Sequence, residues 1–423
     1  MFSLSPDNIL RRHRDFRMFF GGMFLITFAS QIEAVTIGWQ VYTLGRATMS
    51  IEQSAFLVGM VGLAQFLPMF ALTLYAGSLA DRVSRRAIVL GSIATEALGV
   101  IGLLLIALQP QPSVWSIFAI ASLFGASRAF FRPAAWALMP MLVPKPDVPR
   151  AISFSSLSGE IAVITGPWIG GLLIAGSTAS AYAAVAVLYL AGFACVWVIR
   201  QSTTPERQPG SPLTQIREGL VYVWQNKIIF GAISLDLFAV LLGGATALLP
   251  AFASDILNVG PTGFGLLRSG PALGAATMAL ALSRWPLKRH AGSRMFWSVG
   301  AFGLATVVFG LSKSLPLSVL ALAALGAADM VSVYVRQILM QIVTPDHMRG
   351  RVSSVSGLFI SGSNELGEFE SGVVSRFIGP VAAVVLGGIG TLIVTAVWAW
   401  RFPDLRRADR LDGADTPDAA PAE

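Results

Sequence analysis

Charge is what this sequence has least of. Only 13% of its 423 residues are charged, 54% are hydrophobic, and the mean hydropathy is +0.68. Soluble domains carry about 25% charged residues. The deficit excludes a disordered chain and argues against an ordinary soluble enzyme. Cysteine is nearly missing as well: Cys195 stands alone, which excludes an intrachain disulfide framework. The three histidines, His13, His290 and His347, all fall in charged connecting segments, so no metal site inside apolar segments rests on histidine, and no metal or cofactor is expected. G-x-S-x-G and G-x-x-x-x-G-K-[ST] are both absent, so neither a hydrolase elbow nor a P-loop is written in the chain. The chain is not expected to be an enzyme.

What is abundant is apolar sequence in long runs. Stretches of about 20 such residues span a bilayer as helices. Twelve are found, at 17–43, 53–76, 87–108, 113–141, 149–175, 179–199, 228–253, 262–283, 295–312, 315–341, 352–374 and 377–400. The runs are continuous rather than the short alternating segments of a barrel. The first run is too long for a cleavable signal, and no small-residue cleavage site follows it. The 42 glycines and 23 prolines suit membrane helices, where both are frequent. The predicted class is an all-α polytopic membrane protein.

The basic residues give the orientation. With the N-terminus on side one, 23 of the 30 Lys and Arg fall in side-one connections. Only Arg46, Lys313 and Arg376 fall on side two, and Arg128, Arg132, Arg268 and Arg336 lie within spans. A missed helix would scramble that ratio. Side one is predicted to be cytoplasmic, with both termini inside. The net charge of +7 is then a topology signal and not a nucleic-acid footprint.

A polar stretch at 201–226 separates two six-helix halves, 1–200 and 227–400, and 401–423 reads as a disordered cytoplasmic tail. Within the linker, Leu213, Ile216, Leu220 and Val223 sit at helical spacing, which fits a short amphipathic helix on the membrane surface or a solvated linker helix. The halves repeat at an offset of 201: Met139, Pro144, Arg150 and Ser153 fall on Met340, Pro345, Arg351 and Ser354. A parallel repeat of this kind predicts a rocking transporter with its ligand site near the bilayer midplane.

GSLADRVSRRAIVL (77–90) joins spans two and three. Gly77 is expected to end a helix where another approaches closely. Asp81 is placed to meet a helix N-terminus or an arginine, and Arg82, Arg85 and Arg86 anchor the loop. This segment resembles the loop 2–3 signature of the major facilitator superfamily, with Ser84 in place of the usual glycine. Gly166-Pro167-Trp168-Ile169-Gly170-Gly171 in span five is similar to that superfamily's antiporter motif, with Ala162 replacing an earlier glycine. The segments 130–143, 344–354 and 363–372 resemble the branch that includes the bacterial enterobactin exporter. One departure concerns span four: the arginine usually found four residues before a glycine (here Gly125) is Ala121, and the span carries Arg128 and Arg132 instead.

The resemblance implies the major facilitator fold, twelve transmembrane helices in two halves, in the bacterial inner membrane. It implies proton-coupled export, by alternating access, of a small organic molecule: a siderophore, another secondary metabolite or a drug-like compound. Metabolite uptake is the rival within transport, and a receptor or enzyme on the same scaffold is the rival outside it. It also implies a latch in which Asp81 faces Arg349, Gly350 and Arg351. The partners expected are substrate, protons and lipid, with no nucleic acid, and the protein is expected to be a monomer.

A charge at mid-bilayer costs at least about 2.5–3.5 kcal/mol on insertion scales, so each one is a functional candidate. Glu33, two residues after Gln31, and Asp236 lie in the first span of each half and are the leading candidates for a proton or substrate site. Arg128 and Arg132 share a helix face; they fit an anionic substrate, or pairing with Glu33 or Glu160. Asp329 and Arg336, seven apart, fit a similar network in span ten. Glu365 and Glu368 share a face of span eleven, and Glu370 is expected to pair with Arg376. Glu96 and Arg268 read as structural.

Overall fold

The computed structural model describes residues 9–80, 83–201, 212–287 and 289–408. Among them there is no strand. Twelve long helices follow one another: α1 Arg14–Arg46, α2 Ile51–Ala80, α3 Arg85–Ala107, α4 Val114–Leu138, α5 Val148–Gly176, α6 Thr178–Trp197, α7 Lys227–Gly243, α8 Gly260–Arg284, α9 Ala291–Leu311, α10 Leu315–Val343, α11 Asp346–Ile378 and α12 Pro380–Arg401. By length and composition, ten of the described segments can cross a membrane. The other two long helices, α8 and α11, fall short of that hydropathy. Helix α8 is diluted by glycine, and α11 carries Glu365, Glu368 and Glu370.

The helix ends follow ordinary capping chemistry. Ser177 accepts from the Ser180 N–H at 3.0 Å and starts α6. Asn226 Oδ1 accepts from the N–H groups of Ile228 and Ile229 and starts α7. Asp15, in the first turn of α1, accepts the backbone N–H groups of Arg200 and Gln201 just past α6, which ties those two ends together. Gly379, between α11 and α12, has φ +83°, a conformation side chains resist. Span seven is jointed. After α7 the chain passes Gly244, a 3₁₀ turn at Ala245–Leu248 and a π turn at Phe252–Ile256.

The chain forms two compact units. The first comprises Met1–Ser50, Met60–Pro209 and Asn258–Ser269; the second comprises Ile51–Gly59, Gly210–Leu257 and Gly270–Glu423. In the first, α1 packs on α5 and α6, and α3 packs on α4 and α6. In the second, α7 packs on α11 and α12, and α9 packs on α10 and α12. Each pairing recurs six helices later, so the repeat read from loop sequences extends to the packing.

Some local expectations are corrected. Gly77 does not end its helix: α2 continues to Ala80, and a Cβ at Gly77 would meet open space. Asp81 and Arg82 lie outside the described residues. The segment after α12 is folded as far as Ala408: Pro403–Arg407 forms a short helix, Leu405 is fully buried, and the Gly292 N–H donates to Ala408 O. A tail beginning at residue 401 therefore starts too early; residues 409–423 lie outside the described residues. The linker helix spans Pro212–Gln225. Its Val223 is buried against Ile229, Ile233, Val352 and Val355, while Leu220 is exposed.

Candidate functional site

In the first unit, Glu33 of α1 is fully buried. Its Oε1 accepts from Arg128 Nη2 at 3.0 Å, and its Oε2 accepts from the Tyr189 hydroxyl at 2.7 Å. Arg128 Nη1 donates to Gln65 Oε1 at 2.7 Å, and Arg128 Nε lies 3.9 Å from Glu96 Oε1. Helices α1, α2, α3, α4 and α6 each contribute one side chain to this constellation. Two turns along α1, Gln40 Oε1 accepts from the buried Tyr182 hydroxyl at 2.7 Å.

Glycine makes the approach possible. A Cβ at Gly125 would collide with the backbone carbonyl of Gln65, and one at Gly99 would collide with the Phe124 ring. Bare glycine lets α2 and α3 close on α4, so that Gln65 and Glu96 reach Arg128. The two carboxylates are held unequally. Glu33 is gripped at both oxygens, whereas Glu96 Oε2 is buried without a hydrogen-bond partner. Two acids and one guanidinium make a triad that is electrically neutral when it holds one proton.

The second unit repeats the theme. Asp236 of α7 pairs with Arg336 of α10, both buried. Asp236 and Asp329 line a small cavity with Ser332, walled by Val240, Val299 and Phe302. Ser332 Oγ is buried with no hydrogen-bond partner.

The remaining candidates scatter. Arg132 and Glu160 are exposed, so Arg128 alone of that arginine pair meets Glu33, and Glu160 does not neutralise it. Gln31 packs under Gly166, where a Cβ would meet its side chain. Glu365 and Glu368 are half-buried on α11. Arg376 lies over the Phe56 ring, 4.8 Å from its centroid, rather than pairing with Glu370. Arg85 donates to Ala137 O at 2.9 Å, and Arg86 donates to the carbonyls of Val196 and Trp197. These arginines cap the C-terminal ends of α4 and α6, where carbonyls are unpaired and the helix dipole favours a cation. Arg349 donates to Gln341 O, Gly350 stands in open space, and Arg351 pairs with Glu218 at 2.7 Å.

The span-five glycines form a flat seam. Gly166 and Gly170 face Gln31 and Ile32 of α1, and Gly171 faces Pro261 and Gly265 of α8. Pro167 belongs to the same seam: its carbonyl stands against Gly265. The second unit has a matching close approach of Gly59 and Gly372. Sequence reading passed over Gln65, Tyr182 and Tyr189, and took Glu96 as structural. A polar residue at mid-span was the available signal in each case.

Twelve long helices, a six-helix repeat and buried ion pairs define a multi-pass membrane transporter of the major facilitator fold. Residues 10–419 match the family model described as transmembrane secretion effector, and the chain belongs to that family. It is 27% identical over 402 residues to the enterobactin exporter EntS of Escherichia coli O1:K1, covering 95% of this chain and 94% of that one. The EntS protein of Shigella boydii serotype 18 is 26% identical over 401 residues, with 95% and 94% covered. Among solved structures, a peptide transporter POT in complex with sulfate superposes with TM-score 0.72 at 13% identity, covering 95% of this chain and 96% of that one. A D-xylose–proton symporter superposes with TM-score 0.67 at 12% identity, covering 95% and 99%. These relatives and neighbours are transporters and not enzymes. The protein handles a small-molecule substrate in a lipid bilayer.

Proposed function

We propose that this protein exports a small organic molecule across the bacterial inner membrane in exchange for protons, with residues 1–200 rocking against 227–400. The export direction is supported by the likeness to EntS, whose name states export of enterobactin. A siderophore, a related secondary metabolite or a drug-like compound is the substrate class. The observation that carries proton coupling is the sharing of Arg128 by Glu33 and Glu96.

The chemistry follows from charge balance. With a proton on one carboxyl, the triad is neutral and can stay dry. Losing that proton leaves one net negative charge, which is costly away from water and favours the state that lets water or a cationic group reach it. The proton is thereby linked to the conformational equilibrium, because it binds one state better than the other. Glu96, with a free oxygen, is the carboxyl that exchanges; Glu33, fixed by Arg128 and Tyr189, supplies the standing charge.

The test is flux in proteoliposomes with an imposed pH gradient, using enterobactin and a cationic dye as probes. Export by exchange predicts accumulation in vesicles with an acidic lumen, abolished by a protonophore and by Glu96→Gln. Gradient-independent flux would remove the proton, uptake in the opposite sense would favour the import reading, and no flux with either probe would count against transport of these classes.

A further inference from the structure

The second unit holds the same inventory as the first: two carboxylates, Asp236 and Asp329, and one arginine, Arg336. The placement corresponds too. Glu33 and Asp236 sit on the first helix of each half, and their arginines sit on the fourth. In the second unit Arg336 forms an ion pair with Asp236, its buried Nε and Nη1 lacking a hydrogen-bond partner, and Asp329 lines the cavity beside Asp236. Two carboxylates against one guanidinium leave one charge uncompensated unless a proton is bound.

A second observation points to a ligand there. Ser332 lies one turn before Arg336 on α10, is 2% exposed, lines the cavity, and has a buried hydroxyl without a hydrogen-bond partner. Buried hydroxyls normally have partners. A protonated carboxyl or a water carrying a proton to it would satisfy this one. The charged groups acting on Asp329 are Asp236 from α7 and Arg336 from its own helix. Helix α9 brings Val299 and Phe302 to the cavity and carries its one charge, Arg294, exposed near its N-terminus. Helix α8 meets α10 at Gly274 and carries two charges, the half-buried Arg268 in its first half and the exposed Arg284 at its end.

We infer that Asp329 is a second proton-binding site, so that the transporter carries one exchangeable proton in each half. The inference rests on the proton-coupled reading of the first unit and extends it to the stoichiometry. Asp236 and Arg336 are positioning residues, and Ser332 provides the hydrogen bond that the proton-bearing group makes.

The experiment is acid-minus-alkaline infrared difference spectroscopy of the full-length protein in lipid nanodiscs, without substrate, reading the carboxylic acid C=O stretch. The wild type should show two protonating carboxyls. Glu96→Gln should remove one signal, Asp329→Asn the other, and the double variant both. Ser332→Ala should move the Asp329 band without removing it, a response that a merely structural aspartate would not give. If Asp329→Asn proves unstable, Asp329→Glu should keep a band at a displaced frequency. A wild-type spectrum in Asp329→Asn, with the Glu96 band lost as expected in Glu96→Gln, overturns the second site and leaves the first intact. Loss of neither band in either variant overturns the proton-coupled reading itself. A signal that follows sodium rather than proton concentration also overturns the proposal.

Discussion

The hydroxyl of Tyr189 donates to Glu33 Oε2 at 2.7 Å, joining two helices 156 residues apart in sequence. Tyr189→Phe removes that donor and leaves a buried carboxylate oxygen without it. An orphaned buried acceptor costs about 1–3 kcal/mol. A lowered thermal midpoint in detergent is expected, together with loss of proton-coupled flux. An unchanged midpoint would mean that the bond contributes nothing.

Arg128 serves Glu33, Gln65 and Glu96, so its loss should be the most damaging in the first unit. Breaking a buried pair from one side costs about 3–5 kcal/mol. Arg128→Met should abolish folding or transport, and Glu33→Gln on top of it should restore part of the folded yield while leaving transport dead. Size-exclusion profiles of the two variants check this. A double variant no better folded than the single would sink the ion-pair account.

The Arg351–Glu218 pair offers the contrast. Their side chains are 35% and 46% exposed. Exposed pairs contribute up to about 1 kcal/mol. Glu218→Gln should leave the thermal midpoint within that range. A large drop would show that the linker helix depends on this contact far more than its exposure suggests.

Two glycines should respond oppositely to alanine. At Gly125 a Cβ runs into the backbone carbonyl of Gln65, and overpacking of this kind costs about 1–3 kcal/mol. At Gly77 a Cβ meets open space within a helix, where alanine exceeds glycine by about 1 kcal/mol in helix propensity. Gly125→Ala should lower yield and flux, and Gly77→Ala should fold at least as well as the wild type. Parallel thermal melts decide.

Sidedness is tested by thiol labelling. With Cys195 replaced by serine, cysteines at Lys145 and Arg289 should react only from the cytoplasmic face, and those at Arg46 and Lys313 only from outside. Periplasmic labelling at 145 or 289 would overturn the orientation drawn from the basic residues.

The sequence carried the long apolar runs and the repeat, and it marked Glu33, Arg128, Asp236 and Arg336 among its candidate charges, because a charge in a long apolar run is conspicuous on its own. Partners were harder. Arg128 and Arg132 share a helix face, so which of them meets Glu33 depends on their depth along α4 against the neighbouring helices, and no local pattern fixes that depth. Glu96 read as structural because its approach to Arg128 comes from α3 packing beside α4, a contact set by Gly99 and Phe124. Gly77 misled in the other direction: a motif position suggested close approach where the helix simply runs on. Gln65 and Tyr189 are polar residues within apolar runs, a signal that marks them without naming what they bond; only the distances to Arg128 and Glu33 do that.

The joint in span seven has its own consequence. A broken helix strands carbonyls that hydrocarbon cannot satisfy. Here the Ser371 hydroxyl supplies Gly244 O at 2.8 Å, and Gly367 brings α11 close enough for it to reach. Sliding α11 away would leave the Gly244 carbonyl without that partner. These two helices are therefore yoked: whatever displacement the carrier cycle imposes on one, the other must share.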